Sequence, residues 1–269
     1  MSVTGKSPLE VTIGLLHAAA PHQIMGAPEE LARWSVLMRH VLTAVEHAAP
    51  MLDLTDDTEM ADNVSWLLDR AGAYLQVQGR LTQGKALLEQ ALALAEYVHG
   101  PEQALVGFYS NNLASILWDL DEPEAARQLF ERALEIYEAV LGPTHAALAP
   151  ALTNLAAILQ DLGEPEAARR HAERALDIFE TEYGPHHPYV AATLNNLAVI
   201  LRKQSAPEAA RPLAERALEL SEALYHPDHP TILIHLGNLA VILRDLGENE
   251  AALAMTERVH QIREGQGHE

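Results

Sequence analysis

An all-α fold of stacked antiparallel helical hairpins follows from three observations on this sequence. Of its 269 residues 48% are hydrophobic but only 5% aromatic. The apolar content is thus mostly Ala and Leu, the strongest helix formers, while strand-favouring residues are sparse. The stretch "NNLASILWDLDEPEAARQLFERALEIYEAV" at Asn111 returns as "TNLAAILQDLGEPEAARRHAERALDIFETE" at Thr153, "NNLAVILRKQSAPEAARPLAERALELSEAL" at Asn195 and "GNLAVILRDLGENEAALAMTERVHQIREGQ" at Gly237, each 42 residues after the last with no insertion. Finally, Pro123, Pro165 and Pro207 recur at one place, where they open a helix, and Gly142 and Gly184 at another, where they end one.

The elements follow in chain order. Residues 1–58 are expected to form a helical capping segment, with a short helix around Val11 to Ala20 and a longer one from Pro28 that puts Leu31, Trp34, Met38, Val41 and Val45 on one side. Five repeats fill 59–264. The first is faint, "RAGAYLQVQGRLTQGKALLEQALALAEYVHG" from Arg70, with Gly79 on Asp121, Ala91 on Ala133 and Gly100 on Gly142 of the next copy. Within one unit Leu152, Leu155, Ala156 and Leu159 make the apolar stripe of a first helix, A, which Gly163 breaks. Pro165, like Pro123 and Pro207, restarts the chain at a first-turn position, and the run to about Glu182 is helix B. "GPHHP" ends it at Gly184 and opens the next unit at Pro188. Such a hairpin cannot bury its stripe alone and must stack on its neighbours. Residues 265–269 are expected to be a disordered tail, and the chain stops without a polar end-capping helix, which leaves two readings open: self-association through the last repeat, or an end already made soluble by Glu257, Arg258 and Arg263.

The period lies within the HEAT and armadillo range, but the side chains decide otherwise. L-x2-L-A-x2-L from Leu152, then A-x3-A-x2-A at Ala168, Ala172 and Ala175, or A-x3-F-x2-A at Ala126, Phe130 and Ala133, resembles the tetratricopeptide (TPR) pattern with aliphatics in place of its Trp and Tyr. The loops "GPTHAALA", "GPHHPYVA" and "HPDHPTIL" are similar to the long-repeat TPR subclass of kinesin light chains and many bacterial proteins. The resemblance implies a right-handed solenoid, the TPR superhelix, whose A helices line a concave surface that holds other polypeptides. The segment running into "WLLDRAGAYLQVQGRL" is similar to the stretch preceding the TPR sensor of bacterial NB-ARC (STAND) signalling ATPases. That resemblance implies an alternative: a regulatory part whose nucleotide-binding domain is elsewhere.

Eighteen basic against 38 acidic residues give a formal charge of −20, which repels nucleic acid and anionic membranes. No apolar run reaches the ~18 residues of a membrane span, there is no cysteine, and the start lacks a signal peptide, so a cytoplasmic home is expected. "TGKS" at Thr4–Ser7 lacks the upstream glycine and strand of a phosphate-binding loop. His145, His187 and His229 recur at 42, too far apart in stacked hairpins for one ion, and are assigned to the turns between units. With no metal motif, cofactor motif or catalytic constellation, no enzyme activity is expected.

The binding candidates lie on helix A. Asn112, Asn154, Asn196 and Asn238 share one column, and at 100° per residue Asn154, Ala157 and Asp161 fall opposite the core stripe. Asn inside a helix costs roughly 0.5 kcal/mol relative to Ala, so a compensating role is expected. Two remain open: an amide ladder between neighbouring A helices, or a row of donors and acceptors for a peptide backbone, which is where peptide-binding TPR domains commonly place Asn. The flanking positions vary between units: Ser115, Trp118 and Asp119, then Gln160 and Asp161, then Arg202 and Lys203, then Arg244 and Asp245. Arg202, Lys203 and Arg244 form a basic patch suited to a partner's acidic segment, with Trp118 as an aromatic anchor. Pairing of Arg202 and Arg244 with acids on adjacent helices is the alternative. The expected function is a non-catalytic module that takes a partner's extended or helical segment along the A-helix groove.

Overall fold

The computed structural model describes residues 6–21, 28–52 and 58–266, which form twelve α-helices. They divide into two compact units, one ending at Leu141 and one beginning at Gly142.

The first unit holds α1 (Pro8–Ala19), α2 (Pro28–Leu52), α3 (Thr58–Val77), α4 (Leu81–His99), α5 (Ala104–Asp119) and α6 (Pro123–Leu141). Helix α1 starts ahead of Val11 because Ser7 and Glu10 close a reciprocal capping box over a first-turn Pro8, satisfying two otherwise orphaned donors. Ser7, the end of the "TGKS" stretch, is therefore a helix cap, and Lys6 pairs with Glu59 at 2.7 Å; Thr4 and Gly5 lie outside the described residues. From α2, Trp34, Met38, Val41 and Val45 are buried and Leu31 half-buried. The Trp34 indole N–H donates to the Pro21 carbonyl at 3.2 Å.

Hairpins α3/α4 and α5/α6 stack with α4 against α5. Glycine sets the closeness of the first. A Cβ on Gly72 would sit 2.7 Å from Leu88 Cγ, and one on Gly84 2.9 Å from the Gly72 carbonyl oxygen, so α3 and α4 cross where neither residue has a side chain. Leu88 and Ile116 are wholly enclosed against this crossing; each such burial contributes about 1.5–3 kcal/mol.

The second unit holds α7 (Leu148–Asp161), α8 (Pro165–Tyr183), α9 (Pro188–Lys203), α10 (Pro207–Leu224), α11 (Pro230–Asp245) and α12 (Asn249–Gln266). Leu152, Leu155, Ala156 and Leu159 are all buried, as are Ala168, Ala172, Ala175 and the equivalent Ala210, Ala214 and Ala217. Small residues on helix B bring the helices of each pair together. Gly163 and Gly247 break the A helices at φ 79°, where the left-handed region costs glycine nothing. Helix α12 continues through Gln266, past residue 264 where helix was expected to stop. Residues 267–269 of the expected tail lie outside the described ones.

Two columns of ion pairs clip the hairpins together. In one, an Arg of helix B reaches the preceding B helix: Arg132 to Glu96, Arg216 to Glu180, both at 2.6 Å, and Arg258 to Glu222. In the other, a base near the start of helix B reaches the acid just before the next B helix: Lys85 to Glu122 at 2.9 Å and Arg211 to Glu248 at 2.6 Å.

Candidate functional site

The Asn column of helix A splits by use. Within each unit neighbouring A helices touch, α3 with α5 in the first, α7 with α9 and α9 with α11 in the second. Where an acceptor stands 43 residues earlier, the amide spans that contact: Asn112 Nδ2 donates to Asp69 Oδ1 at 2.7 Å and Asn238 Nδ2 to Asn195 Oδ1 at 2.9 Å. The ladder alternative is realised at these two residues.

In the first unit the rung ends on a carboxyl group. The Asp69 side chain is wholly buried and is paired to Arg70, whose Nε donates at 2.8 Å. Burial pushes the Asp69 carboxyl above its usual range, outweighing the lowering by Arg70 and by the Asn112 amide. The Arg70 guanidinium lies 5.4 Å over the Phe108 ring. Two turns further on, the Gln76 amide donates to Asp119 at 2.6 Å and to Ser115 at 3.2 Å, so two of the variable flanking residues are tied to α3. Trp118 is half-buried beside them.

In the second unit the acceptor position preceding Asn196 is Thr153, and its hydroxyl turns back to the Ala149 carbonyl at 2.8 Å. Asn196 therefore has no rung. Among the described residues neither Asn154 nor Asn196 makes a side-chain hydrogen bond, although both are half-buried. The basic residues divide likewise. Arg202 reaches Asp245 on α11 at 3.2 Å and Lys203 reaches Asp161 on α7 at 3.7 Å, so the pairing alternative holds for Arg202 and extends to Lys203. Arg244 is exposed and forms no ion pair among the described residues. Gln160, half-buried, keeps a buried Oε1 without a hydrogen-bond partner. The face of α7, α9 and α11 thus offers two amides and a guanidinium whose hydrogen-bonding capacity the fold leaves unused.

Of the three recurring histidines, His187 and His229 cap α9 and α11, and His145 braces the turn ahead of α7. His187 Nδ1 accepts from Tyr189 N–H and His229 Nδ1 from Thr231 N–H, both at 3.2 Å, and His145 Nδ1 accepts from Ala147 N–H at 3.1 Å. The rings of His187 and His229 stack on Tyr183 and Tyr225 at 4.5 and 4.0 Å. Their recurrence in the turns was the signal that could have shown this role. Sequence reading passed over His235, buried on α11 with Nδ1 2.8 Å from Ser221 Oγ and 3.1 Å from the Ala217 carbonyl oxygen. Burial lowers its pKa. It also passed over Asp69, which stands in one column with Asn111 and Asn195. Among the described residues no group of three or more His, Asp or Glu could hold a metal ion, and no helix is long and apolar enough to cross a membrane.

A family model described as tetratricopeptide repeat matches residues 63–139, 108–181, 148–223 and 189–265. No curated protein matches the chain. Among solved structures, BtubC (BKLC) from P. vanneervenii is similar with a TM-score of 0.71 at 20% identity, over 97% of this chain and 93% of that one. A Podosopora anserina putative kinesin light chain with nearly identical TPR-like repeats has a TM-score of 0.63 at 21% identity, over 74% and 94% of the two chains. PilF of Pseudomonas aeruginosa has a TM-score of 0.56 at 20% identity, over 75% and 77%. At these identities the likeness is one of fold.

Proposed function

The chain belongs to the tetratricopeptide repeat family, and from that premise we propose that it is a non-catalytic module that binds a polypeptide segment along its A helices, chiefly on the face of α7, α9 and α11. The observation that carries this reading is the pair of unused amides at Asn154 and Asn196. A helix-interior Asn that forms no rung contributes nothing to stacking yet keeps its propensity cost, and an amide can both donate to and accept from a peptide backbone. Gln160 borders this face as a half-buried side chain, and Arg244 adds a cation for a partner carboxylate. Arg202 and Lys203 stand beside them but already hold acids, so they contribute position more than charge. Asn112 and Trp118 occupy equivalent places on α5 of the first unit, where Asn112 is committed to Asp69.

The test is a random peptide display library panned against the chain, with the enriched peptides measured by fluorescence anisotropy on the native protein and on Asn154→Ala plus Asn196→Ala. The variant should melt like the native chain, because neither amide is bonded. Peptides carrying Asp or Glu should bind it about tenfold more weakly, the loss of two amide hydrogen bonds at ~1 kcal/mol each less partial replacement by water. Equal affinity for both proteins would sink the reading.

A further inference from the structure

The column of ion pairs that clips helix B to the acid before the next B helix is broken at one place in the second unit. On α10 Arg211 gives Nε to Glu215 at 2.7 Å and Nη1 to Glu248 at 2.6 Å. Forty-two residues earlier, Arg169 on α8 gives Nε to Glu173 at 2.7 Å in the same way. The place of Glu248 is then taken by Ala206, so Arg169 makes no second ion pair among the described residues. A cleft of about 520 Å³ opens there, lined by Glu166, Arg169, Arg170, Glu173, Gln204 and Ala206 among others.

A second substitution points the same way. Arg170 stands where the neighbouring copies have Gln128 and Pro212, and it is exposed without an ion pair among the described residues. At the α10 position Glu248 shares its one base, Arg211, with Glu215, and Glu208 stands on the same helix, two acids to one base, yet Arg211 still holds Glu248. Here there are two acids and two bases, so a carboxylate entering the cleft meets less repulsion than Glu248 does. We infer that this cleft takes a carboxylate from the Asp or Glu side chain of a polypeptide partner, seated where the neighbouring hairpin seats its own glutamate. The site is independent of the A-helix face.

One exposed carboxylate gains little, so an acidic peptide should bind weakly and be screened by salt. The probe is pentaglutamate, titrated at low ionic strength while the Nε–Hε resonances of Arg169 and Arg170 are followed by NMR. Saturable shifts confined to these two arginines are expected. Ala206→Glu should weaken them about fivefold, as an internal carboxylate worth ~1 kcal/mol fills the cleft, and should raise the melting temperature, which certifies its fold. Ala206→Gln should leave them intact. Absence of saturable shifts in the native chain, or equal shifts in Ala206→Glu, overturns the inference. So does glutarate at equal carboxylate concentration shifting both signals as strongly as the peptide, which would make this a small-anion site. Because the readout belongs to Arg169 and Arg170 alone, its failure leaves the Asn154 and Asn196 test untouched.

Discussion

The first unit buries a carboxylate and the second an imidazole, and the two respond to pH in opposite directions. Asp69 of α3 and His235 of α11 both lie inside their units, yet burial raises the pKa of one and lowers that of the other because it disfavours whichever form is charged. The rungs differ to match. Asn112 crosses to a carboxylate that also holds Arg70, whereas Asn238 crosses to the neutral Asn195. One repeat frame therefore accepts chemically different rungs, since it asks only for an acceptor at a given place.

The largest effect that separates the two rungs is truncation. Asn112→Ala leaves the buried Asp69 short of a donor and should cost about 2 kcal/mol, within the range for hydrogen bonds to charged groups, while Asn238→Ala should cost about 1 kcal/mol. Urea unfolding, with amide exchange reporting α3 and α11 separately, checks this, and equal costs would mean that Asp69 is not ionised in the rung.

Titration sharpens the contrast next. Folded Asp69 holds its proton more tightly than the unfolded chain does, so its contribution is fully present below about pH 4 and falls as pH rises from there. Folded His235 holds its proton less tightly, so its contribution is full above about pH 6.5 and falls as pH drops. From pH 7 to 5, amide protection factors should therefore fall in α10 and α11, and His235→Thr, the residue at position 193 of the preceding copy, should flatten that response. Asp69→Asn should gain on the native chain as pH rises above about 4. Parallel pH profiles of native and variant would remove the distinction between the units.

Backbone strain offers a smaller handle. Ser205 takes φ 60° where Gly163 and Gly247 stand in the neighbouring copies, so Ser205→Gly should stabilise the α9–α10 hairpin by about 1 kcal/mol, read as a rise in its local unfolding free energy. The smallest expected effect is Thr153→Asn, which supplies the acceptor Asn196 lacks. It should add about 0.5 kcal/mol and quench peptide binding at that amide. If binding persists unchanged, Asn196 is not a contact.

Much of the fold was legible because the period repeats backbone demands. Gly163 is needed where the helix must turn at positive φ, Pro165 where a missing N–H is harmless, and Leu155 with Ala156 where a stripe must be buried. The site was legible only as a column. Asn112, Asn154, Asn196 and Asn238 read alike, yet two are rungs and two are not: Asn112 and Asn238 find an acceptor one place out of register on the preceding A helix of their own unit, whereas Asn196 finds Thr153 turned back on its own helix. Arg202 and Arg244 also read alike, and Asp245 reaches only the first.

What the sequence by itself determined here is the repeating hairpin: its stripes, breaks and caps are set by residues within a few positions of one another, so local sterics and helical periodicity suffice. What only the tertiary structure decided is which polar groups are already spent. Hydrogen bonds and ion pairs across a stack join residues some forty positions apart, and their capacity is finite. Whether an amide or guanidinium is free for a partner depends on what the next hairpin brings within about 3 Å.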